Sequence, residues 1–169
     1  MKIKRMVLCG ILMAVALTIF VLEAQLPPIT PIPGIKLGLA NIVTLFALAF
    51  FSPKEAFLIL FGRVVLGAIF AGAPSTLLYS LPGGMFCLLV EMMFIKYFGT
   101  KFIWGISVVG AVVHNLTQLV VASLLTKTPE VFWYAPPLLL SGAVTGLLTG
   151  FAVWYLCERV GERIRRMIK

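Results

Sequence analysis

Long apolar stretches of this chain are separated by short interruptions of charge, proline or glycine. Runs bounded in this way predict six helices, at about 6–26, 37–51, 55–73, 76–97, 102–125 and 134–157. Since a crossing needs about 20 residues, the 169 residues leave room for six crossings and short loops, and for no separate soluble domain. The pattern predicts an all-α integral membrane protein, a six-helix bundle forming a single membrane domain over residues 1–169.

The composition supports a membrane protein and excludes a soluble one. Hydrophobic residues make up 61% of the chain and charged residues only 12%, about half the charged share of a typical soluble domain. The first apolar run ends in Glu23-Ala-Gln-Leu-Pro-Pro without a small-residue cleavage site, so we expect a membrane helix rather than a signal peptide. The following segment, Pro27–Gly34, contains four prolines and predicts a stiff loop or cap.

The basic residues predict the orientation of the bundle. One side of the six-crossing arrangement holds most of them, namely Lys2, Lys4, Arg5, Lys54, Lys96, Lys101, Arg159, Arg163, Arg165, Arg166 and Lys169, and the other holds Lys36 and Lys127. Because basic loops stay in the cytoplasm, both termini are expected there, in a multi-pass protein of a bacterial-type plasma membrane. Topology and contact with anionic membrane lipid explain the net charge of +8, and no nucleic acid partner is predicted.

Arg63 is the most costly residue in the apolar pattern. An arginine within the membrane costs roughly 2.5–3.5 kcal/mol, so it requires a partner or a function. Two interpretations stay open: a buried ion pair with Glu91 that fixes helix packing, or a cavity in which Arg63 binds an anionic group.

Two further sets of polar residues are candidates for a binding site. Glu23, Lys36 and Asn41 fall at the outer ends of the first two helices, where they predict the rim of a pocket for a zwitterionic or anionic solute. His114, Asn115 and Gln118 lie within about one turn of the fifth helix. They indicate either a ligand site or hydrogen bonds between helices.

Catalysis by this chain is not expected. The sequence contains no Asp, its six Glu residues do not supply the several clustered carboxylates that Mg²⁺-dependent phosphate chemistry uses, and no phosphate-binding Gly-rich loop is present. The cysteines Cys9, Cys87 and Cys157 lie far apart without metal-ligand spacing, and the single histidine has no carboxylate neighbour in its helix. We therefore predict no cofactor and no metal, and a role in binding rather than chemistry.

Several segments carry a resemblance to known proteins. They are Gly10-x-x-x-Ala14, Ile35-Lys-Leu-Gly-Leu-Ala-Asn-Ile42, Ser52-Pro-Lys, Leu78-Tyr-Ser-Leu-Pro-Gly-Gly84 and Gly110-Ala-Val-Val-His-Asn-Leu-Thr-Gln118. With the six predicted helices, they resemble the substrate-binding S components of energy-coupling factor (ECF) transporters over essentially the whole chain. Within that clan, the chain is similar to the Gx transporter family, also called heptaprenyl diphosphate synthase component I.

The resemblance implies a substrate-binding membrane subunit for uptake of a small vitamin-like or isoprenoid- or quinone-related solute. Its implied partners are an ECF coupling membrane subunit and ATPase subunits, which would dock on the small-residue stripe Gly10, Ala14 and Thr18 of the first helix. That stripe is centred about half a turn from Glu23, so docking and binding can use different faces. The alternative is an accessory membrane subunit of isoprenoid or quinone biosynthesis, or of a membrane redox system.

Overall fold

A computed structural model describes residues 3–25, 38–72 and 74–168, and this part of the chain is helical with short connections. The helices are α1 (Ile3–Glu23), α2 (Asn41–Phe50), α3 (Pro53–Phe70), α4 (Ser75–Phe98), α5 (Ile103–Thr126) and α6 (Ala135–Ile168), with a short 3₁₀ helix (Pro129–Tyr134) before α6. The prediction of an all-α fold is confirmed for these residues. The last helix continues well past its predicted end near 157.

Local sequence signals fix two helix boundaries. Ser52 begins α3 with a capping box: its hydroxyl accepts the backbone N–H of Glu55, and the Glu55 carboxylate accepts the N–H of Ser52 at 2.8 Å. Pro53 then occupies the first helical turn, where a missing N–H costs nothing. Gly99 follows α4 with φ +67°, a left-handed conformation that glycine adopts without strain.

Four helical segments of the described chain are long and apolar enough to cross a membrane. They are Ile3–Glu23, Ser75–Phe98, Ile103–Thr126 and Pro129–Ile164. The 10 residues of α2 span only about 15 Å, half of a hydrocarbon core of roughly 30 Å. The 18 residues of α3 include Lys54, Glu55 and Arg63, which make this helix less apolar. Many large apolar side chains are exposed on the bundle, as expected for a membrane protein.

Glycines let the helices approach closely. A Cβ added to Gly146 of α6 would lie 2.8 Å from the Cα of Val108 in α5. A Cβ added to Gly150 of α6 would lie 2.6 Å from the Cα of Trp104, also in α5. The glycine repeat of α6 therefore serves packing within the chain, where α5 contacts α6 on one side and α4 on the other. On the other side of the bundle, α1 packs against α3, and Phe20 of α1 fills the space left by Gly67.

Candidate solute-binding site

Asn41 and Arg63 meet inside the bundle, although they come from different helices. Asn41 is the first residue of α2, and Arg63 lies in the middle of α3. Arg63 is only 3% exposed, and its Nη2 donates a hydrogen bond to Oδ1 of Asn41. Nε of Arg63 and Nδ2 of Asn41 are buried without a hydrogen-bond partner in the described structure. Two donors at this contact are thus left for another group.

Glu91 does not pair with Arg63. The two residues form no ion pair within 4.0 Å, and the Glu91 carboxyl instead accepts a weak hydrogen bond from the thiol of Cys87 at 3.4 Å. The Glu91 side chain packs against α5 at Gly110, where an added Cβ would lie 2.6 Å from Oε1. The interpretation of Arg63 as half of an ion pair with Glu91 is therefore wrong in this conformation.

A small cavity opens beside Arg63. Its lining residues come from α1, the segment before α2, α3, α4 and α5, and they are Phe20, Glu23, Gly38, Arg63, Ser80 and His114. The cavity has a volume of about 10 Å³, which is room for about one water molecule. Three of the predicted site residues, Glu23, Arg63 and His114, therefore meet around one space.

His114 is held between two glycines. A Cβ on Gly38 would lie 3.1 Å from Cδ2 of the His114 ring, and a Cβ on Gly83 of α4 would lie 3.1 Å from its Nδ1. Gly38 has φ +81°, so both its backbone and the close contact favour glycine there. Its N–H donates to Oε1 of Glu23 at 2.5 Å, which joins α1 to the start of α2. The ring of His114 is thus buried with its Nδ1 directed toward the backbone of Gly83.

Asn115 and Gln118, both fully buried, have different surroundings. Nδ2 of Asn115 donates to the backbone carbonyl of Leu138 in α6 at 2.8 Å, in the space that Gly142 leaves by lacking a side chain. Gln118 has its Cγ beside Gly83, and both its Oε1 and its Nε2 lack a hydrogen-bond partner among the described residues. Asn115 thus joins two helices, whereas Gln118 offers a donor and an acceptor to the same α4–α5 region as His114.

The sequence profile of a family described as heptaprenyl diphosphate synthase component I matches residues 12–156. The chain belongs to this family. No curated protein and no solved structure matches the chain. The family match contains every predicted solute-binding position and the whole cavity, and of the predicted docking stripe it contains Ala14 and Thr18 but not Gly10.

Two of the sequence predictions concern residues that the structure does not describe. They are the binding residue Lys36 and the stiff loop or cap at Pro27–Gly34. Conversely, Ser80 and Gly38 line the cavity but were not selected from the sequence as site residues. A signal for this part of α4 is Pro82, two residues after Ser80, which has no N–H to donate to the carbonyl of Leu78 one turn earlier. Thr44, one turn after Asn41, is also buried with an unpartnered hydroxyl and gave no signal.

The donor set of the site suits an organic solute better than a metal ion. The cavity is lined by a guanidinium, an imidazole, a hydroxyl and one carboxylate, from Arg63, His114, Ser80 and Glu23. Among the residues with described side chains, no three His, Cys, Asp or Glu groups are placed to hold a metal ion.

The predicted docking residues lie on the outer face of α1. Gly10, Ala14 and Thr18 are exposed, and no atom lies within 4 Å of the position of a Cβ on Gly10. Cys9, Ala16 and Phe20 of the same helix are buried. The stripe is therefore available to another molecule, while the opposite face of α1 packs in the bundle.

Proposed function

We propose that this chain is the substrate-binding membrane subunit of an ECF-type uptake transporter for a small vitamin-like or isoprenoid- or quinone-related solute. The observation that carries this proposal is a group of buried polar atoms of Arg63, Asn41 and Gln118 that have no hydrogen-bond partner among the described residues. Buried polar atoms are nearly always hydrogen-bonded, so a cluster of unpaired ones indicates a place where a polar ligand or water can bind. A binding subunit needs such a cluster, and a purely structural bundle does not.

The proposed arrangement is six membrane crossings with both termini in the cytoplasm. The exposed ends of α6 and of the turn after α4 carry basic residues such as Arg159, Arg163 and Lys101, which the positive-inside rule assigns to the cytoplasmic side. At about 51 Å, α6 is long enough to cross the hydrocarbon core and extend beyond it. The site then opens toward the outer ends of α1 and α2.

In this proposal, the energy for uptake comes from partner subunits. The sequence has no phosphate-binding loop and no Asp, so neither ATP hydrolysis nor Mg²⁺-dependent prenyl transfer has the residues it uses elsewhere. The exposed small residues Gly10, Ala14 and Thr18 supply a surface where a coupling membrane subunit could pack closely against α1. We infer that the chain itself is not an enzyme.

The experiment that tests this proposal is affinity purification of the tagged chain from native membranes in a mild detergent, with quantitative mass spectrometry of the copurifying proteins. The expected result is recovery of an ATPase pair together with a coupling membrane subunit. Untagged membranes and an unrelated tagged six-helix protein are the controls.

A second candidate is supported by the description of the family, which names a component of heptaprenyl diphosphate synthase. The chain would then be an accessory membrane subunit of isoprenoid or quinone biosynthesis or of a membrane redox system. The same purification distinguishes the two candidates, because recovery of a prenyl synthase or a redox enzyme without an ATPase would overturn the transporter proposal.

A further inference from the structure

The buried Arg63 guanidinium forms no ion pair within 4.0 Å with an acidic side chain of the described residues, although Glu23 lines the same cavity. Its described hydrogen bond goes to the neutral amide of Asn41, Glu91 is bonded to Cys87 instead, and Nε has no partner. A neutral acceptor does not offset the charge of a buried guanidinium, which normally pairs with a carboxylate or phosphate. The Asn41 contact therefore does not supply the charged acceptor that a buried guanidinium normally has.

The neighbouring donors favour an oxyanion there. Nδ2 of Asn41 is also unpartnered and sits at the same contact as the guanidinium. A guanidinium N–H and an amide N–H at one contact can both donate to the oxygen atoms of one carboxylate or phosphate group. The hydroxyl of Ser80 adds a further donor in the lining of the cavity.

The cavity also limits the charge of that anion. Glu23 lines the same space as Arg63, and one of its oxygens already accepts the Gly38 N–H. A carboxylate in the wall repels a multiply charged group more than a singly charged one. One guanidinium beside one carboxylate therefore does not suit a diphosphate, and an oxyanion that pairs with Arg63 here should carry a single negative charge.

Other unpartnered groups are available to the remainder of the solute. Both ends of the Gln118 amide lack a partner among the described residues, in the region between α4 and α5 beside Gly83. They can hydrogen-bond a neutral polar part that carries both donors and acceptors. Since the cavity holds about 10 Å³, or about one water molecule, the helices around it must separate for such a solute to enter.

We propose that the solute of this subunit carries a singly charged oxyanion, a carboxylate or a phosphodiester, which pairs with the guanidinium of Arg63 and the amide of Asn41. This inference rests on the proposed function. The oxyanion can belong to a water-soluble metabolite or to the head group of a lipid.

The test is to identify the small molecules that copurify with the protein. The wild-type chain and the Arg63→Gln, Asn41→Asp and Lys127→Gln variants are purified from native membranes and extracted into an aqueous and an organic phase. Each phase is then analysed by mass spectrometry in both polarities. Asn41→Asp keeps the size of the side chain and provides Arg63 with an internal carboxylate, so it competes with the oxyanion even if Arg63→Gln does not fold. Lys127→Gln removes an exposed cation far from the cavity along α5 and serves as the control.

The expected result is a molecule with one carboxylate or phosphodiester that is enriched on the wild type and on Lys127→Gln. Its yield should fall about tenfold or more on Arg63→Gln and Asn41→Asp, since a hydrogen-bonded charge pair is lost.

Enrichment in the aqueous phase indicates a metabolite, and enrichment in the organic phase indicates a lipid. An enriched molecule that is uncharged, cationic or a diphosphate, or an anion retained by both site variants, would overturn this inference but leave the binding function intact. If no molecule is enriched on the wild type, both proposals are overturned.

Discussion

Arg63 donates its hydrogen bond to Asn41 rather than forming an ion pair with Glu91. The contact ties the start of α2 to the middle of α3, and it leaves the charge of Arg63 directed at the cavity. A buried ion pair would have made Arg63 a packing residue, whereas the observed contact leaves it available to a ligand. With Asn41 rather than Glu91 as its partner, Arg63 is interpreted as a binding residue and not only as a packing residue.

The first prediction is that Arg63 and Glu91 do not behave as a buried ion pair. In a double-mutant cycle with Arg63→Gln and Glu91→Gln, we expect a coupling energy of about 1 kcal/mol or less, since the two side chains form no ion pair and interact only at longer range. A buried ion pair would instead lose about 3–5 kcal/mol when one partner is removed. Reversible unfolding of the four proteins in mixed detergent micelles measures the coupling. A coupling of several kcal/mol would restore the ion pair.

The second prediction concerns the contact of α5 with α6. A methyl group at Gly142 would lie 2.3 Å from Nδ2 of Asn115, so Gly142→Ala should displace Asn115 from the Leu138 carbonyl. We expect a loss of about 1–3 kcal/mol from overpacking, with a further cost for the buried amide that loses its partner. The unfolding midpoint in detergent measures this effect.

Gly105→Ala is the matched control for that substitution. Gly105 is also a helical glycine, in α5, but no atom lies within 4 Å of the position of its Cβ. The better helix propensity of alanine should leave stability unchanged or raise it by up to about 1 kcal/mol. Equal destabilisation by Gly142→Ala and Gly105→Ala would argue against the close α5–α6 contact.

The third prediction separates the binding site from general packing of α4. A Cβ on Gly83 would lie 3.1 Å from Nδ1 of His114 and 3.2 Å from Cγ of Gln118, whereas a Cβ on Gly84 would meet Leu60. We therefore expect Gly83→Ala to lower the affinity for the copurified solute, by about threefold to tenfold if one hydrogen bond is weakened. Gly84→Ala should lower stability while leaving affinity close to that of the wild type. Equilibrium binding of the solute to each purified variant is the measurement, and similar affinities for both variants would contradict the assignment of Gly83 to the site.

The helices could be predicted from the sequence because apolar runs, Pro and Gly mark their limits. Ser52-Pro-Lys-Glu55 even contains the capping box that begins α3. The length of α6 could not be fixed in this way, because the charged residues after Cys157 fit either a helix or a tail. In the structure, Gly161 packs against the Phe50 ring of α2, with an added Cβ 3.3 Å from Cζ, and such a contact depends on tertiary structure.

The candidate site could be predicted only in part. Glu23, Asn41, Arg63 and His114 were selected because polar groups are costly in an apolar helix. The sequence does not predict which group each of these side chains contacts, because the contact depends on how each helix is rotated about its own axis in the bundle. Asn115 and Gln118 look equivalent in the sequence, yet Asn115 bonds to the Leu138 carbonyl and the Gln118 amide has no hydrogen-bond partner in the described part of the chain. Ser80 was missed because a serine in a membrane helix commonly bonds to its own backbone.

The last prediction tests the outer face of α1. Gly10 has open space around it and lies on the exposed stripe with Ala14 and Thr18, so Gly10→Leu should not disturb the fold of the isolated chain. If a coupling subunit packs against this stripe, the added side chain prevents close approach of the two helices, and recovery of the partner should fall about tenfold or more. Quantitative mass spectrometry of the purified complex measures the loss. Gly105→Leu, another substitution of a helical glycine with open space around it, should leave recovery unchanged. Unchanged recovery with Gly10→Leu, or an equal loss with both variants, would show that the partner does not dock on this stripe.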